Sequence, residues 1–184
     1  MRLYPTASVS LRDRGQLSMA QVIVEAAAPP WGAGLEVPIG PGDLRAVDLV
    51  LRHPAEIVMV EIVRSIVDLQ AQARSGQVKR AALAVTIGGD VPIRLVIAVP
   101  DSTRVRRELR SLGPLLAATF PVASAAIWHA LRAGEPTGGD GIMFVREREL
   151  RAGQRKSNTD GVGPIAPAVV HPRAGKPSRA SRPL

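Results

Sequence analysis

Two carboxylates stand where charge is costly. Asp48 lies inside the apolar stretch LRAVDLVLR (44–52), and Glu61 inside EIVMVEIV (56–63). Two anions close together in a poorly solvated place must be compensated by a cation or by hydrogen-bond donors. Mg²⁺ suits such a pair, because it binds through one or two carboxylates and completes its shell with water and substrate phosphate. A site of that type activates water and stabilises the charge that develops in phosphodiester cleavage. The structural alternative pairs Asp48 with Arg45 or Arg52, and Glu61 with Arg64.

The flanking pattern predicts the elements that hold these acids. Alternation along 44–52 predicts a strand with Leu44, Ala46, Asp48 and Val50 on one face. EIVMVEIV is apolar on both faces and reads as a central strand. A hairpin through RHPAE would bring both carboxylates to one end of the sheet. Upstream, SLRDRGQLSMAQVIVEAAA carries a helical stripe (Leu17, Ala20, Val24, Ala27) that PPWGAG stops. Pro38 confines LEVPI (35–39) to an edge or a strand end.

Downstream, residues 65–79 read as a surface helix with Ile66, Leu69 and Ala73 inward, weakened at Gly76. AALAVTIGGD (81–90) is compatible with more helix or with a strand, and IRLVIAV (93–99) is a buried strand. In PDSTRVRRELRSLG, Asp101 or Ser102 caps a helix that buries Val105, Leu109, Leu112 and Leu116. A second helix is capped near Ser124 and ends at Gly134; GEPTGGDG then forms a flexible turn before the strand GIMFV (141–145). Strands joined by short turns and then crossed over by helices predict an α/β fold, a mixed sheet flanked by helices.

Composition narrows the classes. The chain has 184 residues, 46% hydrophobic but only 3% aromatic, so the core must be aliphatic. There is no cysteine, which excludes disulfides, thiol nucleophiles and cysteine metal sites and fits a cytoplasmic location. No apolar run approaches the ~18 residues of a membrane span, and MRLYPTASVSLRDRG lacks the apolar region of a signal peptide. The net charge of +8 is concentrated at one end. Residues 151–184 hold seven Lys/Arg against one acid, Asp160; the other 17 Lys/Arg and 15 acids lie in residues 1–150. The expected organisation is an α/β domain over 1–150 and a disordered basic Pro/Gly/Ser-rich tail over 151–184. His53, His129 and His171 have no metal-ligand spacing.

Several segments together resemble a known family. LEVPIGPGDLRAVDLVL is similar to an EVP–PGDLRAWD–L segment, and VEIVRSIVDLQAQ to V-E-A-E-T-R-x-x-D-x-Q-A. VPDSTRVRREL resembles A-D-T-R-x-N-R-x-x-L, and LRAGEPTGGDGIMFV a closing L-R-A-G-x-x-P-G-G-x-G-I-V-L-L. These belong to a bacterial family of uncharacterised domains, usually placed behind a helix-turn-helix repressor-like domain and similar to the PD-(D/E)XK nuclease-like superfamily. The resemblance runs from LYP to GIMFV, about 145 residues.

It implies a restriction-endonuclease-like fold, with Asp48 as the signature aspartate and Glu61 as the first glutamate. The next functional position, Glu or Lys in the pattern, is Val63 here, which neither binds a metal nor positions water. Arg64 and Ser65 replace a threonine and an arginine, and Val47 a tryptophan.

A displaced group on the following helix, Lys79 or Gln70, is the candidate to repair that loss. The catalytic candidates are therefore Asp48, Glu61, Lys79 and Gln70, with Asp48 and Glu61 as metal ligands. Arg104, Arg106, Arg107 and Arg110 cluster on one helix and are the candidate phosphate contacts. The leading expectation is a catalytically degenerate nuclease-like domain without a cofactor. It would serve as a regulatory or binding module in a DNA-associated, transcription-regulator-type system. The alternatives are an active Mg²⁺-dependent nuclease and a protein-interaction domain without a nucleic-acid role. Expected partners are DNA or RNA and a separate helix-turn-helix protein, with no membrane; the oligomeric state is left open.

Overall fold

The computed structural model describes residues 14–40, 42–66 and 68–146. The tail at 151–184 and the first residues of the expected N-terminal helix lie outside them. The elements run α1 (Arg14–Ala26), β1 (Gly32–Pro38), β2 (Ala46–His53), β3 (Glu56–Ile62), α2 (Leu69–Ile87) and β4 (Ile93–Pro100). They continue with α3 (Thr103–Arg110), α4 (Gly113–Thr119), α5 (Ser124–Ala133) and β5 (Gly141–Val145). The five strands lie in sequence order, β1-β2-β3-β4-β5. The first three form an antiparallel meander, and β3, β4 and β5 are parallel. The fold is α/β, a mixed five-stranded sheet flanked by helices.

Alternation sends the strand residues into two cores. Leu49, Leu51, Val58, Val60, Val96 and Met143 meet α1 and α5 on one face. Val50, Met59, Leu95, Ile97 and Ile142 meet α2, α3 and α4 on the other. β3 is buried on both faces, as a central strand must be. β1 is an edge strand, and Pro38 is its last residue, where no ladder donor is needed.

Three local features settle, correct or extend the sequence reading. α2 continues through residues 81–87 to the cap Gly88, and its start is fixed by Asp68, whose side chain accepts from Ala71 N. Its buried residues are Leu69, Gly76 and Leu83, one every seven positions. The expected helix over Val105–Leu116 is two helices, because Pro114 has no N–H to continue α3 and its ring clashes with the preceding turn.

The third is Glu56, the residue at which the expected strand 56–63 begins and for which no partner was foreseen. It opens β3 with only 1% exposure. Its carboxylate accepts from Thr137 N, Thr137 Oγ1 (2.7 Å) and Gly138 N (3.2 Å), and lies 3.3 Å from Arg94 Nε. Asp140 adds a second tie, accepting from Leu95 N (2.9 Å) and from Arg80. The glycine-rich segment before β5 is thus bound to the sheet by two carboxylates. Among the described residues no helix is long and apolar enough to cross a membrane.

Removing the Glu56 carboxylate strands the Thr137 and Gly138 donors in the interior. Glu56→Ala should therefore cost about 3 kcal/mol of unfolding free energy in urea titration. Arg94→Ala, whose side chain is one-third exposed, should cost less than half as much. Equal losses would show that the ion pair, rather than the backbone donors, makes Glu56 important.

Candidate functional site

The β2–β3 hairpin turns at Pro54–Ala55, and its register pairs His53 with Glu56 and, at the far end, Leu49 with Val60. One step further, Asp48 faces Glu61. Both project on the side of Val50 and Met59, toward α2. Asp48 Oδ2 accepts from Ile62 N at 2.7 Å, while Gln16 Nε2 donates to Ile62 O at 2.9 Å. The backbone N–H and C=O of Ile62 are both held by side chains, and that fixes the end of β3.

Glu61 meets a lysine. Lys79 Nζ donates to both carboxylate oxygens, at 3.0 and 2.8 Å, and the two side chains are only 16% and 17% exposed. Burial pushes the Glu61 carboxyl above its ordinary value near 4.5; Lys79 pulls it down, and the charge of Asp48 adds to the rise. The structural alternative for these acids is not what forms. Arg45 instead bonds Asp43, and Arg64 lies against Gly15.

Eighteen residues separate Glu61 from Lys79, and Gly76 is what closes the gap. A Cβ at Gly76 would sit 2.8 Å from Leu95 Cδ2, so any larger residue would have to displace the Leu95 methyls for α2 to lie this close to β4. Lys79, three residues later, then sits on the flank of α2 beside Gly76. The same flank carries Thr86, whose Oγ1 donates to Ile39 O at 2.6 Å, and Gln72, seven residues before Lys79. Gln72 Oε1 is buried and has no hydrogen-bond partner among the described residues. Sequence reasoning passed over Gln72; its spacing of seven from Lys79 was the available signal.

The other candidates lie elsewhere. Gln70, nine residues from Lys79, is on the opposite side of α2. There it lines an apolar groove of about 600 Å³ between α2 and α4. Val63 packs against the α2-side core, an aliphatic contact. Of the α3 arginines, Arg104 pairs with Glu108 at 2.8 Å and Arg106 with Asp101, while Arg107 and Arg110 occupy the exposed last turn, where the helix dipole favours cations. His53 stacks on Trp31 with ring centroids 4.9 Å apart, and His129 is exposed on α5. Among the described residues no group of three His, Cys, Asp or Glu can hold a metal.

Comparison of the chain with protein-family models, curated proteins and solved structures finds no match in any of the three. The functional reading therefore rests on the site itself.

Because the folded-state pKa of Glu61 lies above its unfolded value, the stability tied to its proton is complete below about 4.5 and is lost as pH rises through the raised value. Lys79→Met removes the cation that offsets this loss. The substitution should cost about 3 kcal/mol at pH 7 and about 1 kcal/mol at pH 4, where Glu61 can protonate. Denaturant titration at the two pH values reads the difference; an equal cost at both would contradict the coupling.

Proposed function

We propose that Asp48, Glu61 and Lys79 form the working group of a nuclease-like site for metal-dependent phosphodiester cleavage in DNA or RNA. The observation that carries this reading is the placement of Lys79 Nζ on both oxygens of Glu61, directly beside Asp48. It is a helix-borne cation at a site whose strand offers only Val63. The donor set fits Mg²⁺ in kind, being two carboxylates on facing strands. Gln72 Oε1, a buried acceptor on the Lys79 flank, is the sort of atom a bound water satisfies. Asp48 and Glu61 would hold the ion, which supplies a polarised water and screens phosphate charge.

The chain's own groups have separable tasks. Asp48 is oriented by the Ile62 amide, so its carboxylate stays aimed across the hairpin. Lys79 is a cation whose three N–H donors can serve both Glu61 and a phosphate oxygen or an attacking water. Its ammonium is already held by Glu61, which lowers the ordering cost at the moment of reaction. The resemblance to PD-(D/E)XK domains supports the same assignment of Asp48 and Glu61.

A second reading has its own support. Lys79 already balances the charge of Glu61, and only two acids converge, so the site can be complete without an ion. The domain would then be a degenerate nuclease relative serving as a binding or regulatory module beside a helix-turn-helix protein.

Incubation with supercoiled DNA and with RNA in Mg²⁺ or Mn²⁺ separates the two. The first reading predicts cleavage that Asp48→Asn and Lys79→Gln each reduce by about 100-fold or more. Absence of cleavage on both substrates with both metals, alongside salt-dependent binding, would replace it with the second.

A further inference from the structure

The outer edge of β5 is closed by α5. Ser124 Oγ accepts from Phe144 N at 2.9 Å, and Trp128 Nε1 donates to Phe144 O at 2.9 Å. These bonds satisfy the edge strand at Phe144, so this stretch is not left open for another strand to pair with. Beside them lies a cleft of about 390 Å³ that no part of the acidic site uses. Three arginines from three different elements line it: Arg106 of α3, Arg132 of α5 and Arg146 just past β5.

Two of the guanidinium groups are held beside aromatic rings. Arg106 Cζ stands 4.3 Å from the Phe144 ring centroid, and Arg132 Cζ stands 5.0 Å from that of Trp128. Asp101 binds Arg106 through Nε and lies 3.7 Å from Arg146 Nε. An arginine has five N–H donors, so one such bond leaves most of the Arg106 fork to a ligand. Among the described residues, Asp101 lines the cleft beside the three arginines. Ser124 Oγ accepts from Phe144 N, and its O–H remains as a further donor on the cleft lining. α5 begins at Ser124 without a side-chain cap, and its Ala126 N–H is taken by Ala123 O.

A planar fork with paired donors matches the oxygens of phosphate better than it matches a halide or a neutral group. We propose that this cleft is a phosphate-binding site, taking either the terminal phosphate of a nucleotide or a backbone phosphate of a nucleic acid strand. It does not depend on whether Asp48 and Glu61 cleave anything. The basic cluster anticipated along α3 contributes only Arg106 to it; the other two arginines are distant in sequence.

Titration calorimetry of the full chain at constant ionic strength tests this with four probes. They are inorganic phosphate, adenosine 5′-monophosphate, and a single-stranded oligonucleotide with and without a 5′-phosphate. The Arg132→Ala/Arg146→Ala double variant keeps Arg106, whose contacts to Asp101 and Phe144 belong to the fold. Arg104→Ala, paired with Glu108 outside the cleft, is the control.

Saturable binding is expected that the double variant weakens by about tenfold or more and the control leaves unchanged. Thermal unfolding of each variant shows that the fold persists. Binding of phosphate and mononucleotide assigns the cleft to a terminal phosphate. Binding of both oligonucleotides alone assigns it to an internal one. Lack of saturable binding to every probe, or equal affinity in the double variant, overturns the proposal.

Discussion

The ion pair between Lys79 and Glu61 is the constraint around which one end of this sheet is arranged. A carboxylate at that depth, facing a second one across the hairpin, has to be offset by a nearby cation. The cation comes from α2, which lies close to the sheet over Gly76. Replacing the pair by apolar residues of similar shape would leave stability near its present level or raise it. Its presence at this end of the sheet is the feature for which the proposed function accounts. The Ile62 peptide, gripped by Asp48 and Gln16, gives the acids a rigid base.

The sheet itself was largely legible. Period-two and doubly apolar patterns located β2, β3, β4 and β5 to within about two residues, because strand burial is written directly into side-chain order. Helices were harder where burial is sparse. α2 buries one residue every seven, with glycine among them, so its apolar stripe is too thin to show its length. Gly76 reads in the sequence as a helix weakener; in space it is a contact point. Pro114 is the break, but the Leu109–Leu112–Leu116 spacing runs across it and reads as one helix.

The site was legible in its acids and not in its cation. Asp48 and Glu61 stand out because charge is rare in strands of this kind. Lys79 and Gln70 were equal candidates by type, and only the rotation of α2 separates them: one meets Glu61, the other lines an apolar groove. Glu56 was missed for the opposite reason. Its neighbours His53 and Pro54 mark a turn, and nothing local reveals that Thr137 and Gly138, more than eighty residues away, will bring it their donors. The arginine cleft shows the same limit, since Arg106, Arg132 and Arg146 meet only after α3, α5 and β5 have packed. It lies near the Pro100–Val145 pair, at the same end of the parallel strands as Glu61, and β3 and β5 are about 10 Å apart.

The central claim is that the facing acids, with a lysine laid across one of them, make a cation site of use to chemistry. Calorimetric titration with Mn²⁺ tests it without assuming a substrate. The account predicts one saturable site per chain in the wild type, lost in Asp48→Asn. A wild-type chain that takes up no Mn²⁺, or an Asp48→Asn chain that binds it equally well, would contradict it.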